Sequence, residues 1–179
     1  PVEKGLTPEF VKIGTLAAAA EMISSGTTFA CDMYFFPETI ANSYLESGIR
    51  AKVCAAVSDN DEIYDSKSAL INIEKLLSSE QKSSDLIEFG IGPHSIYSCD
   101  EETLIKSSEL SKKYDCTLSI HASETRKEVT DCYEIHGMYP IEYLDSLDFL
   151  SEGTVCAHCG WVTKKEMRIL SRNGAHAVH

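Results

Sequence analysis

The chain has 179 residues, 43% of them hydrophobic, which is enough for one domain with a substantial core. Its 16 basic and 28 acidic residues give a formal charge of −12, which argues against a broad basic surface for nucleic acid or an anionic membrane and in favour of a small-molecule partner. Residues Pro1 to Gly26 show no signal-peptide arrangement, and no apolar run approaches the roughly 18 residues that a membrane span requires. The seven cysteines are odd in number and lie in apolar runs such as Val53-Cys54-Ala55-Ala56-Val57, where a reduced thiol behaves as a small hydrophobe. The expectation is a cytosolic chain without a disulfide framework.

In chain order, Thr7-Pro8 reads as an N-cap and first helical position, opening an Ala-rich helix that runs through Met22 and stops before Gly26. Thr27 to Phe35 reads as a buried strand. Pro37 starts a helix that ends near Gly48, Arg50 to Val57 is a second apolar strand, and an amphipathic helix covers about Asp65 to Leu77. Gln81 to Asp85 reads as a polar loop. Strand patterns follow at Ile87 to Gly92, Thr117 to His121, Val155 to His158 and Ala175 to Val178, with helical patterns between them. No linker or low-complexity segment divides residues 1–179, so the alternation predicts one domain with a parallel sheet of six strands. Periodicity leaves open whether that sheet is doubly wound or part of an eightfold barrel.

Three Thr/Ser-x-x-Glu patterns predict capping boxes at Ser98 with Glu101, Thr125 with Glu128, and Thr163 with Glu166. They set His94, His121 with Glu124, and His158 with Cys159 to Trp161 at the C-terminal ends of strands, the edge on which ligands bind in parallel α/β folds. His121 taken alone also suits a hydrogen-bonded packing role, and Glu124 taken alone suits a helix N-terminus. As a pair they suit metal-assisted hydrolysis, in which a carboxylate moves the protons of an activated water. Cys156-Ala157-His158-Cys159 also has a CxxC spacing, but a structural zinc needs a second ligand pair and a redox CxxC normally opens a helix. His94 suits a turn or a ligand contact equally. His136 reads as a loop residue, Trp161 as packing beside the third loop, and His176 and His179 receive no role from spacing.

Several segments, in order, carry a resemblance: Leu6-Thr7-Pro8-Glu9; Ser25-Gly26-Thr27-Thr28 with Asp32-Met33-Tyr34-Phe35-Phe36; Gly90-Ile91-Gly92-Pro93-His94-Ser95-Ile96-Tyr97-Ser98-Cys99; Ile120-His121-Ala122-Ser123-Glu124-Thr125; Gly137 to Asp145; and Ala157-His158-Cys159. The chain resembles the amidohydrolase superfamily, in its branch of methylthioadenosine/S-adenosylhomocysteine deaminases and related chlorohydrolases. The resemblance implies a partial (β/α)8 TIM barrel, strands two to seven, with one divalent metal, zinc ahead of iron. It implies a deaminase acting on an aminated heterocycle such as an adenosine derivative; the alternatives are hydrolysis of another ring substituent, as in a chlorohydrolase, and a non-catalytic barrel fragment. A homo-oligomer is compatible with it.

Residue by residue, the resemblance makes His121 a metal ligand, Glu124 the proton shuttle, and His158 the strand-six histidine beside the attacking water. His94 and Glu3 match positions that contact a purine nucleoside. The family's His-x-His would precede Pro1 and its strand-eight Asp would follow His179. The expectation is therefore that these 179 residues alone do not turn over substrate and leave open edges at strands two and seven. The third strand has Ala55 where the nucleoside deaminases have an arginine near the distal part of the substrate, which leaves that substituent open.

Overall fold

The computed structural model describes residues 5–59, 65–79 and 83–179; Glu3 lies outside the described residues. Helix α1 (Pro8–Ser24) starts as the sequence predicts, with Pro8 at its first position and Thr7 Oγ1 accepting the Phe10 N–H at 3.2 Å. Strand β1 (Phe29–Tyr34) and helix α2 (Pro37–Ser47) follow, and α2 stops at Gly48, whose φ of 76° is the left-handed conformation that glycine adopts without steric cost. Strand β2 (Arg50–Val57) leads through residues not described to α3 (Ser66–Ser78), capped by Asp65.

Strand β3 (Ser83–Ser84) pairs antiparallel with the start of β4 (Ile87–Pro93), where the sequence suggests only a polar loop. The reason is a vacant edge. Strand β5 (Leu118–Ala122) meets β4 first at Ile91, so the first residues of β4 have donors and acceptors left for Ser83 and Ser84. Helix α4 (Glu101–Tyr114) lies between β4 and β5, then come α5 (Arg126–His136), α6 (Pro140–Ser146), β6 (Thr154–His158), α7 (Lys164–Asn173) and β7 (His176–Val178). His136, expected in a loop, closes α5 and stacks on Tyr143 with ring centroids 3.9 Å apart.

The long strands run parallel in the order β1-β2-β4-β5-β6-β7, which is their order along the chain. Six parallel strands joined in one direction by helical crossovers form part of a (β/α)8 barrel, with helices on the outside. Alternate residues divide between the two faces. Ala55, Val57, Ile91, Leu118, Ile120 and Cys156 join Leu104, Leu144, Phe149 and Leu170 in one buried cluster. Ala30, Ala51, Val53 and Ile87 join Val11, Ile40 and Tyr44 in another. Ala55 is thus packed in the core on the helix side, 3% exposed, and does not occupy a substrate-facing position. Its neighbours Cys54 and Ala56 take the inner face instead.

That inner face is tightly curved between β2, β4 and β5. A Cβ on Gly90 would meet the Thr117 carbonyl oxygen at 2.5 Å and Cys54 Sγ at 2.8 Å, so a residue without a side chain is required there. Among the described residues no helix is long and apolar enough to cross a membrane.

Candidate active site

Strand β4 ends at Pro93, and the chain turns at once through His94 and Ser95. The His94 N–H donates to the Val57 carbonyl at 2.9 Å, tying the turn to the tip of β2. Ser98 does not cap α4 as its spacing with Glu101 predicts. Its hydroxyl bonds Ser95 Oγ at 2.7 Å and His94 Nδ1 at 2.9 Å, and Asp100 takes the cap by accepting the Thr103 N–H at 2.7 Å. A carboxylate two residues closer to the helix competes successfully, because Asp is at least as good an N-cap as Ser. Ser98 is left free to orient His94.

His121 projects from the inner face of β5. Its backbone N–H donates to the His94 carbonyl at 3.0 Å, and its ring Nδ1 lies 2.8 Å from the same oxygen. A carbonyl oxygen only accepts, so Nδ1 carries a proton, and in the neutral ring Nε2 carries the lone pair. This is the second contact that metal-ligating histidines characteristically make. The His94 and His121 ring centroids are 4.9 Å apart, and those of His121 and His158 are 5.3 Å apart with planes inclined by 27°. Three imidazoles thus form a row across the tips of β4, β5 and β6.

The tips of β5 and β6 leave regular strand geometry together. Ser123, His158 and Cys159 have φ of 53°, 73° and 48°, all in the left-handed region that non-glycine residues seldom occupy. Two backbone bonds join these turns, from Cys159 N–H to the Ala122 carbonyl at 3.0 Å and from Trp161 N–H to the Ser123 carbonyl at 3.2 Å. The twist carries the exposed His158 ring toward Glu124, with His158 Nε2 3.6 Å from Glu124 Oε1. That separation lets both groups hydrogen-bond one oxygen atom placed between them. Four of the five residues singled out from sequence, His94, His121, Glu124 and His158, therefore meet at one edge, as the strand-tip placement predicts. Glu3 is not among the described residues.

Among the described residues no group of three His, Cys, Asp or Glu side chains is arranged to hold a metal ion. The donor chemistry that is present still suits one, because the bond at Nδ1 leaves Nε2 of the neutral His121 ring with its lone pair for an ion. Cys156 of the CxxC is fully buried in the helix-side core, and Cys159 Sγ contacts the Cys156 carbonyl oxygen at 3.6 Å. The hydrogen bond between the two thiols raises Cys156 and lowers Cys159 relative to an ordinary cysteine.

Several participants carry no clear signal in the sequence. Glu128, 3% exposed, accepts the Ser123 N–H through Oε1 and the Glu124 N–H through Oε2, each at 2.8 Å. Burial raises its carboxyl above the usual range, and the N–H donors of Glu124 and Ser123 hold that rise in check. Arg126 stacks its guanidinium over Trp161, 4.3 Å from the ring centroid, and so bridges the two turns at the rim. His179 donates from Nδ1 to the His158 carbonyl at 2.8 Å, repeating one strand further on the arrangement of His121 against His94. The Thr-x-x-Glu pattern marks Glu128 only as a capping residue, and nothing in the spacing separates His179 from any other strand-end histidine.

A parallel partial barrel with imidazoles and a carboxylate on the strand tips is the architecture of a barrel hydrolase. The chain belongs to the amidohydrolase family, whose sequence profile matches residues 3–179. It is 37% identical over 179 residues to a 5'-deoxyadenosine deaminase of Methanopyrus kandleri, a match covering all of this chain and 42% of that protein. It is also 37% identical over 175 residues to a 5-methylthioadenosine/S-adenosylhomocysteine deaminase of Aquifex aeolicus, covering 97% of this chain and 41% of the relative. In structure it superposes on an adenosine deaminase from Xanthomonas campestris with bound zinc, with a TM-score of 0.90 at 28% identity, covering 97% of this chain and 40% of the other. The chain thus spans about two fifths of the length of these relatives.

Proposed function

We propose that the protein is a metal-dependent aminohydrolase that releases ammonia from an aminated heterocycle such as an adenosine derivative. The observation that carries this reading is the 2.8 Å contact of His121 Nδ1 with the His94 carbonyl, with Glu124 and His158 paired beside it. The names of the three relatives given above, each a deaminase of adenosine or one of its derivatives, support the substrate class. Zinc is the metal this reading assigns, in keeping with the zinc bound in the Xanthomonas campestris enzyme. His121 would hold it through Nε2, and the ion supplies Lewis-acid activation of water.

The chain's own residues then account for the proton traffic. Glu124 takes one proton from water as the water oxygen bonds to the ring carbon bearing the amino group. It gives that proton to the exocyclic nitrogen as the carbon–nitrogen bond breaks, so ammonia leaves, the ring keeps the oxygen and the second water proton stays with the product. His158, facing Glu124, orients the incoming oxygen. His94, held by Ser95 and Ser98, contacts the heterocycle one strand away. Glu3 is assigned a nucleoside contact by the family resemblance alone.

The test uses the complete zinc-loaded gene product and follows ammonia release from 5'-deoxyadenosine and related purine nucleosides. Glu124→Gln is expected to lower kcat by about 10²- to 10⁴-fold with zinc retained, the usual worth of a positioned acid–base group. Full activity in that variant would remove Glu124 from the role. Chloride release from a chlorinated ring without ammonia release from any aminated one would overturn the choice of leaving group.

A further inference from the structure

Glu128 and Glu166 follow the same pattern, Thr-x-x-Glu at the start of a helix, yet their carboxylates do different things. Glu166 closes a full capping box. Its Oε2 accepts the N–H of its own N-cap, Thr163, at 2.7 Å, and its Oε1 accepts the Ile141 N–H at 3.1 Å, tying α7 to α6. Glu128 reaches past its N-cap, Thr125, to the two preceding residues and takes one N–H in each oxygen.

The backbone it grips is an expensive one. Ser123 has a left-handed φ of 53°, and its buried hydroxyl has no hydrogen-bond partner among the described residues. Both features disfavour this turn unless surrounding bonds impose it. Three bonds do so: the two from Ser123 and Glu124 into Glu128, and the Trp161 N–H to the Ser123 carbonyl. A turn designed for helix stability alone would need neither the strained residue nor the orphaned hydroxyl. What the turn achieves is direction, because the residue that leaves it is Glu124, and Glu124 faces His158.

We propose that Glu128 is a positioning residue of the reaction: its carboxylate clamps the Ser123 and Glu124 amides and thereby sets the aim of the Glu124 carboxylate toward His158. The inference rests on Glu124 being the proton carrier. Its effect is geometric, since a displacement of about 1 Å in a reacting group is enough to cost on the order of 10²-fold in rate.

The experiment compares Glu124→Gln, Glu128→Gln, Glu128→Asp, Thr125→Ala and the double variant Glu124→Gln/Glu128→Gln in the complete zinc-loaded protein, with 5'-deoxyadenosine as substrate. Glu128→Gln is expected to lower kcat about 10- to 100-fold, with KM and zinc content within about twofold of the parent. Glu128→Asp, which keeps the charge on a shorter arm, is expected to lie between the two, and it stands in if the glutamine variant does not fold. Thr125→Ala removes the other bond at the start of α5, Glu128 N–H to Thr125 Oγ1, and is expected to lower the melting temperature without lowering kcat. In the Glu124→Gln background, Glu128→Gln is expected to add no further loss.

Hydrogen exchange gives a readout that needs no substrate: the Ser123 and Glu124 amides lose protection in the Glu128 variants and keep it in Thr125→Ala. Parental kcat in both Glu128 variants, unchanged protection of both amides, or an equal loss in the Glu124→Gln background would each overturn the inference. Parental activity of Glu124→Gln would overturn the Glu124 assignment instead, so the two failures are distinguishable.

Discussion

A neutral imidazole has one N–H and one lone pair, and at His121 a backbone carbonyl decides which nitrogen has which. Little of that was legible in the sequence. The position of His121 at a strand tip followed from the β-rich run before it, but the carbonyl that orients the ring belongs to His94, 27 residues earlier. The grip of Glu128 on the strained turn was hidden for a related reason, since Thr-x-x-Glu has the same spacing whichever amide the carboxylate accepts. Outside the site, Cys31 on the inner face of β1 is exposed, and a hydrogen bond from the Cys54 thiol, aided by the Lys52 ammonium and opposed by burial, lowers its pKa to about 7. An unfolded cysteine titrates near 8.5, so any stabilisation from this thiolate is present above that value and is lost as pH falls through about 7. Alkylation of Cys31 in the 179-residue chain, mapped by mass spectrometry, should therefore rise with a midpoint near pH 7, and Cys54→Ala should move the midpoint upward. A midpoint at the ordinary thiol value in both proteins would contradict the assigned contact.

At the scale of elements, the six parallel strands and the helix starts at Thr7-Pro8, Pro37 and Thr163 were legible because each is encoded locally, by short apolar runs or by cap chemistry. Strand β3 was not, since Ser83-Ser84 is a strand only through the vacant edge of β4. The Gly90-x-Gly92 spacing on β4 also takes its meaning from neighbours. At Gly90 the obstacle is the Thr117 backbone, whose carbonyl oxygen would lie 2.5 Å from the methyl carbon of an alanine, and backbone can move only by displacing β5. At Gly92 the tightest contact is Met33 Cγ at 2.6 Å, a side-chain atom that moves with χ1, and the backbone contact, the Ala55 carbonyl oxygen at 3.3 Å, is milder than the one at Gly90. Gly90→Ala is accordingly expected to cost about 3 kcal/mol and Gly92→Ala about 1 kcal/mol, within the range for overpacked interiors. Urea unfolding of the two variants measures the difference, and equal costs would mean that β5 yields as readily as Met33.

For the molecule as a whole, the two core clusters lie between the sheet and its helices, and they are unevenly distributed along the strands. The larger one surrounds Ile91, Leu118 and Ile120 with Leu104, Leu144 and Phe149, all at most 1% exposed. The β4 and β5 amides beneath it are bonded strand to strand, Ile91 N–H to the Thr117 carbonyl at 2.9 Å and Leu118 N–H to the Gly153 carbonyl at 3.0 Å. Local opening tracks such differences in burial. Native-state hydrogen exchange should therefore find the Ile91 and Leu118 amides opening only with global unfolding. The consequence reaches the site, because His94 and His121 stand at the tips of these two strands and are joined to each other there. Exchange of the Ile91 or Leu118 amide well below the free energy of global unfolding would mean that the strands beneath His94 and His121 open on their own, and the site would lose this rigid base.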